Sequence, residues 1–258
     1  MLDALGGKLR MVVLGASAAD PQGHSRASMT SVCLCVQGYG LTETAPVLTA
    51  ERPDKRKAGS VGVPLDNVEI RIDNPDENGI GEVIAKGDNI MHGYYDNEEA
   101  TAAVLRDGWF HTGDLGYIDK SGYLFLSGRK KNVIVLKNGK NVFPEELETE
   151  ISTLPYQMEN IVVGLPKNGD DRDLVVALKI VYDPEQFAGM SKEEIEKRIH
   201  EDVEKINDRM PLYKRIKRIF VTDEPMIKTS TSKVRRFLEI EKMLEEENKD
   251  GGTHGKQI

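Results

Sequence analysis

The feature that most constrains this chain is a change of pattern after Gly128. From about Gly59 to Leu126, short alternating runs are separated by Gly-rich turns. VEIRI alternates from Val68 to Ile72, NPDENGIG is a turn cluster, and GEVIAKG reads as another short strand. GYIDKSGYLFL sets two apolar runs around Asp119-Lys120-Ser121-Gly122, a hairpin signal. Strands this short and closely spaced predict a small barrel or sandwich-like unit. Beyond Gly128, NVIVLKNGKNVF predicts a hairpin with Asn138-Gly139 at its tip, a dipeptide that tolerates positive φ at both turn positions. Pro144 suits the first turn of a helix over PEELETEISTL, with Leu147, Ile151 and Leu154 on one face. IVVGL, LVVALKIVY and RIFV predict strands. Ser191 and Glu194 form a capping box ahead of Ile195, Ile199, Val203, Ile206 and Met210, whose spacing is helical, and Pro211 ends that helix. A short helix is expected after Lys233, and EEENKDGGTHGKQI predicts a disordered tail.

The N-terminal stretch is less regular. Leu9 to Leu14 reads as a short buried strand followed by a small-residue turn. GHSRASMTSVCLCV, from Gly23 to Val36, has no helical period and predicts a loop leading into a short strand. At 258 residues the chain can hold one large domain or two ordinary ones, and 39% apolar with 30% charged residues excludes a wholly disordered or collagen-like chain. No apolar run is long enough to cross a bilayer. Thirty-five Lys and Arg against 43 Asp and Glu, net −8, argue against general binding to nucleic acid or anionic membranes. Residues 1–20 lack a secretory signal pattern, and Cys33 and Cys35 are too close for an ordinary disulfide, so a reduced, cytoplasmic chain is expected.

Four stretches carry more small and polar residues than a fold requires. In QGYGLTETAP, two glycines flank Tyr39, which leaves its ring face open to a flat ligand, and Thr42 and Glu43 offer a hydroxyl and a carboxylate for phosphate oxygens and a hard cation. An ordinary strand-turn with a capping Thr is the competing reading. In DGWFHTGDLG, Asp114 sits between glycines, where it could accept vicinal hydroxyls or simply bond its own turn. His111, beside Trp109 and Phe110, is assigned no role. In SGRKKNVIVLKNGKNVFPEELE, Arg129 offers a guanidinium fork, while Lys130 and Lys131 read equally as solvated charge. In MIKTSTSKVRRF, Lys233 follows a Ser/Thr-rich turn and could act as a mobile point charge on phosphate. Eight basic residues between Lys214 and Arg236, with no interleaved aromatic platform, suit a polyanionic small molecule better than DNA.

Together and in this order, with GEVIAKGDNIMHGYY between the first and second, these stretches resemble the adenylate-forming (AMP-binding) superfamily. Within it, GRKKNVIVLKNGKNVFPEELE is similar to the hinge region of bacterial long-chain fatty acid–CoA ligases, and the likeness covers nearly all of residues 1–240. The resemblance implies a mixed α/β and α+β architecture. Residues 1–128 would be the C-terminal portion of the large AMP-binding domain, with a sheet remnant over 1–50 and a distorted β-barrel over 58–128. Residues 129–245 would form a small mobile α+β domain and 246–258 a disordered tail. It implies the family's chemistry: a carboxylate attacks the α-phosphate of ATP to give acyl-AMP and pyrophosphate, then the thiol of coenzyme A takes the acyl group.

Carried over residue by residue, Gly38, Tyr39 and Gly40 would contact adenine, with Tyr39 stacking on the base. Gly15 and Ala16 would form the small-residue turn beside it. Thr42 would touch phosphate and Glu43 would bind Mg²⁺, Asp114 would accept the ribose hydroxyls, and Arg129 would be its partner. Lys131 would be the pivot, Gly139 would line the thiol tunnel, and Lys233 would steady charge during adenylation. The implied substrates are a fatty acid, ATP and CoA. The departures are also specific. No Ser/Thr/Gly-rich loop ending in Pro-Lys-Gly is found, so this chain alone is expected to be inactive. Ala18 stands where Pro is usual, and Ser232 where Gly normally precedes the lysine. A decayed or truncated non-catalytic product, or one half of a split enzyme with a complementing N-terminal chain, stand as alternatives.

Overall fold

Val68–Asp73 (β5), whose apolar residues alternate, pairs antiparallel with Gly81–Gly87 (β6), so that Asp73 faces Glu82 and Val68 faces Gly87. The computed structural model describes residues 8–15, 34–167, 169–230 and 232–249, side chains to residue 247, in two compact units, Met1–Lys131 and Asn132–Ile258.

In the first unit, β1 (Met11–Leu14) runs parallel to β2 (Leu34–Tyr39), with Leu14 opposite Gln37. Two short strands, β3 (Thr49–Ala50) and β4 (Val63–Pro64), extend this sheet in the order β1-β2-β3-β4. Of GHSRASMTSVCLCV, only the part from Leu34 falls within the described residues, and it is the expected strand. The second sheet is antiparallel and is built on β8 (Trp109–Ile118). β8 pairs with β6 along one side. Along the other it pairs first with β7 (Leu105–Arg106), then with β9 (Leu124–Arg129). Tyr39, Leu48, Val61, Val68, Val83, Ala85 and Leu124 form the core of this unit.

The expectation of an all-β run is corrected at Glu98–Val104 (α1), a helix capped by Asn97, whose side chain accepts from the Ala100 N–H at 3.0 Å. None of its residues is buried, so it has no apolar stripe for periodicity to detect.

In the second unit, β10 (Ile134–Val135) and β11 (Asn141–Val142) form the expected hairpin, but its tip differs. Only Gly139 takes positive φ (+77°), its N–H bonding the Leu136 carbonyl at 2.8 Å. Asn138 instead accepts from the Lys140 N–H, at 3.1 Å. The turn is therefore a type I turn closed by a left-handed glycine, not one with both central residues at positive φ. Asp119–Tyr123 repeats this design, with Gly122 at φ +83° and Asp119 Oδ1 accepting two backbone N–H groups.

β12 (Gln157–Lys167), β13 (Asp170–Tyr182) and β14 (Arg218–Thr222) make a three-stranded sheet buried on both faces, which explains the near-continuous apolar run LVVALKIVY. Period-2 alternation divides it. Val176, Leu178 and Ile180 pack with Leu147 and Ile151 of α2 (Pro144–Ile151) and with Ile195, Ile199, Val203 and Ile206 of α3 (Lys192–Asn207). Ala177 and Val181 pack toward Met243 on α4 (Arg236–Lys249). Pro144 occupies the first turn of α2, and Ser191 and Glu194 exchange the two bonds of the capping box. Each fully buried Leu or Ile contributes about 1.5–3 kcal/mol. The helix after Lys233 is longer than expected: Glu245 to Lys249, expected from their polarity to be a disordered tail, continue it, and residues 250–258 lie outside the described residues. Among the described residues no helix is long and apolar enough to cross a membrane.

Candidate nucleotide-binding site

β1 and β2 end side by side, and the glycine-rich residues follow from those ends. In an α/β sheet, the carboxyl ends of parallel strands are where ligands bind. A Cβ added at Gly15 would lie 3.8 Å from the Gly38 carbonyl oxygen, so the two turns are neighbours. Ala16 lies outside the described residues. The glycines around Tyr39 have a different reason from the one expected. A Cβ at Gly40 would fall 1.8 Å from the Pro46 carbonyl oxygen, and one at Gly38 3.3 Å from that of Thr49, so both allow backbone to approach backbone. Nor is the Tyr39 ring an open platform. It packs in the core and is 9% exposed, leaving only a narrow part of its surface accessible.

Tyr39 is instead held by its hydroxyl, which donates to Asp114 Oδ2 at 2.7 Å. Asp114 is 5% exposed and its Oδ1 lies 2.8 Å from Arg129 Nε, the two residues being direct partners across β8 and β9. Burial, and then the Asp114 charge, push the Tyr39 phenol well above its ordinary value, so it remains a protonated donor. A β-bulge aims Asp114. Along β6 the register advances from Glu82 to Ile84, while along β8 it steps from Leu115 to His111, which loops out Thr112, Gly113 and Asp114. Gly113 takes φ +70°, and the Thr112 hydroxyl donates to the Val83 carbonyl at 2.7 Å while accepting from the Asp114 N–H at 3.1 Å. A carboxylate has about four lone-pair sites, so bonds from a phenol and a guanidinium are compatible with accepting a vicinal diol as well.

Thr42 and Glu43 lie on a 3₁₀ turn, Thr42–Thr44, directly after this strand. Thr42 is exposed and Glu43 half-buried. Glu43 is held at both ends: its carbonyl accepts from the Met91 N–H at 2.8 Å, and its Oε1 from the Tyr94 hydroxyl at 2.9 Å. Burial and the Glu43 carboxylate raise the Tyr94 phenol, which keeps it a donor. Asn89 Nδ2 donates to the carbonyls of Thr44 (2.9 Å) and Val47 (2.8 Å), tying the far side of the turn. A carboxylate and a hydroxyl on one turn are hard oxygen donors, which fits Mg²⁺, a cation that retains most of its water.

Arg129, Lys130 and Lys131 are exposed and line, with Gly113, a cleft of about 320 Å³. Beneath it, Glu82 accepts from the Gly113 N–H at 3.2 Å and from Lys130 Nζ at 2.8 Å, and lies 3.3 Å from His111 Nδ1. Sequence reading missed Glu82. Its signal was a carboxylate directly before the apolar run Val83-Ile84-Ala85 of the strand GEVIAKG.

In the second unit, Lys233 is exposed on a turn closed by the Thr229 N–H to the Lys233 carbonyl (2.8 Å) and the Lys233 N–H to Thr229 Oγ1 (3.2 Å). Ser232 takes φ +61°, the conformation that glycine would adopt without strain. Acidic groups anchor the approach to this turn: Glu159 accepts from the Met226 N–H at 3.0 Å and Glu239 from the Ile227 N–H at 2.7 Å. Gly139 sits at the β10–β11 tip, and no described residue comes within 4 Å of where its side chain would be. Nearby, Leu136, Lys137, Tyr213 and Lys217 help to line a groove of about 180 Å³, and Lys140 Nζ lies 4.4 Å from the Tyr213 ring centroid. The sequence reading named the surrounding basic cluster without Tyr213 or Lys137.

Residues 2–95 match the family described as AMP-binding enzyme, and residues 131–248 match the AMP-binding enzyme C-terminal domain. A long-chain-fatty-acid–CoA ligase of Mycobacterium bovis is 38% identical over 72% of this chain and 29% of its own length. The indoleacetate–CoA ligase of Aromatoleum aromaticum is 38% identical over 60% of this chain and 32% of its own. Among solved structures, the o-succinylbenzoate coenzyme A synthetase of Bacillus subtilis in complex with ATP and magnesium ion superimposes with a TM-score of 0.74 at 27% identity, covering 92% of this chain and 49% of that one. The chain thus spans about a third or less of the length of these two curated relatives. With both family matches in chain order and the same fold in the solved relatives, this chain belongs to the AMP-binding family of adenylate-forming enzymes.

Proposed function

We propose that these residues are the nucleotide-facing and C-terminal part of an ATP-dependent acyl-CoA ligase, with a long-chain fatty acid as the acid substrate. The observation that carries the reading is Asp114, a buried carboxylate set on a bulge and held between the Tyr39 phenol and the Arg129 guanidinium. Such a carboxylate accepts the two ribose hydroxyls of an adenosine phosphate, while Arg129 stays beside it. The accessible strip of Tyr39 and the Gly15, Gly38 and Gly40 turns would meet the base. Thr42 and Glu43 would hold phosphate oxygens and Mg²⁺, whose charge offsets that of the phosphates. Lys233 would supply a point charge in adenylation, Lys131 would act as pivot, and Gly139 would face the thiol route. The groove at Tyr213, with Lys137 and Lys217, suits an anionic and aromatic part of CoA. Support for the long-chain acid comes from the hinge-motif resemblance and from the name of the mycobacterial relative. Positioning and charge neutralisation are the chief needs of such a displacement at phosphorus.

The test is calorimetry of AMP against 2′,3′-dideoxy-AMP. The chain is expected to bind AMP at least tenfold more tightly, and Asp114→Asn to abolish that preference. Equal affinity for the two nucleotides would refute the reading. A polypeptide of these 258 residues alone is expected to bind AMP without sustaining fatty-acid-dependent ATP–pyrophosphate exchange, since it contains no Ser/Thr/Gly-rich phosphate loop.

A second reading, that these residues act with a complementing N-terminal segment, draws on β1, the outermost strand of its sheet among the described residues, where Met11 and Val13 are 47% and 63% exposed. Recovery of thioester synthesis on mixing with the N-terminal half of a family member would favour it.

A further inference from the structure

We infer that Glu82 is the positioning residue of the Asp114–Arg129 clasp, one buried carboxylate that holds the neighbour of each of its members. Gly113 precedes Asp114 and donates its N–H to Glu82 Oε1 at 3.2 Å; Lys130 follows Arg129 and donates from Nζ to Glu82 Oε2 at 2.8 Å. His111 Nδ1, 3.3 Å from Oε2, flanks the carboxylate on the strand that carries Asp114. The inference rests on the reading of Asp114 as the ribose acceptor.

The bulge is why such a brace is needed. Its residues leave the β6–β8 ladder, so the Gly113 N–H needs a partner from outside the regular pairing. Among the described residues nothing lies within 4 Å of where a Gly113 side chain would be, so their packing does not hold this residue. Glycine at φ +70° has little intrinsic reason to stay in one conformation. Lys130 is 60% exposed in its side chain and would otherwise move freely in solvent. A single carboxylate, itself 7% exposed, removes freedom from both neighbours at once. Burying it is costly, and it persists because charge and hydrogen bonds compensate. Burial works to raise its pKa, yet Lys130 and His111 outweigh that and hold it below the ordinary carboxylate value.

The experiment measures AMP and 2′,3′-dideoxy-AMP binding for the parent chain, Glu82→Ala, Glu82→Gln, Lys130→Met and Asp114→Asn, with the emission of the single Trp, Trp109 on β8, reporting folding. Gln keeps an acceptor for Gly113 but loses the charge that holds Lys130. Glu82→Ala is expected to weaken AMP about tenfold, and Glu82→Gln and Lys130→Met about threefold each, with dideoxy-AMP unchanged within twofold. The Gln and Met effects should not add in the double variant. If AMP and dideoxy-AMP weaken together, or if no variant at Glu82 or Lys130 changes either, Glu82 is only structural and the inference fails, while the response of Asp114→Asn separately decides the ribose reading. Should Glu82→Ala not fold, Lys130→Met, a change at an exposed side chain, decides between the two outcomes.

Discussion

Tyr39 and Asp114, 75 residues apart, are joined by a hydrogen bond of 2.7 Å from phenol to carboxylate, inside a core that leaves neither side chain more than a tenth exposed. A bond to a charged acceptor in such a place is worth about 1.5–3 kcal/mol. Tyr39→Phe is expected to cost that much in urea unfolding at pH 8 and to weaken AMP by releasing Asp114.

The same pair predicts an alkaline limit. The folded pKa of Tyr39 is raised above its ordinary 10.0, chiefly by burial. The stabilisation is therefore complete below pH 10 and is lost as pH climbs beyond it, because the unfolded chain ionises first. Tyr94, Tyr156 and Tyr182 are shifted the same way, so the difference between parent and Tyr39→Phe isolates one site. That difference should shrink between pH 9.5 and 11; a constant difference would contradict it.

Two glycines should respond to alanine for opposite reasons. At Gly40 the new Cβ would collide with backbone, 1.8 Å from the Pro46 carbonyl oxygen, and the cost is expected to be about 3 kcal/mol. At Gly139 no described residue comes within 4 Å of the new Cβ and only φ +77° resists, so about 1 kcal/mol is expected. Denaturant midpoints of the two variants, compared with the parent, test the order.

Lys179 and Glu239 form a buried ion pair at 2.9 Å, with 5% and 0% of the residues exposed. Lys179→Met alone leaves a buried carboxylate and is expected to cost about 3–5 kcal/mol, whereas Lys179→Met with Glu239→Leu should recover most of it. Lys179 and the Ile227 N–H outweigh burial and hold Glu239 below the ordinary value, so its contribution is present at neutral pH and fades on acidification below pH 4.5. Acid unfolding followed by circular dichroism should show a smaller decline in the double variant than in the parent, the remainder coming from carboxylates such as Glu82 and Asp202 that are also held below the ordinary value.

Ser232 holds a left-handed φ of +61° beside Lys233. Relief of that strain, less the greater freedom of glycine when unfolded, should make Ser232→Gly more stable by about 0.5 kcal/mol. Thermal unfolding of the variant checks the sign.

What could be read without coordinates was what neighbours along the chain decide. The capping box at Ser191, the apolar stripe from Ile195 to Ile206, Pro144 at a helix start and the glycine-tipped hairpins all rest on interactions within a few residues. Helix α1 escaped because it buries nothing, and the length of α4 because its polar C-terminal half reads as tail. Four motif stretches were equally visible, and with them Asp114, Arg129, Thr42 and Glu43.

Tertiary structure alone decided how those residues are held. Ladder register and one bulge, features with no local signature, set Asp114 against Arg129 and brought Glu82 beneath both of their neighbours. Close packing turned Tyr39 from an open ring into a buried donor, and gave Gly40 a backbone to approach. Most of these partners stand far apart in the chain, Tyr39 and Asp114 by 75 positions and Glu82 and Lys130 by 48, and a sequence records the partners of a long-range contact without recording that they meet.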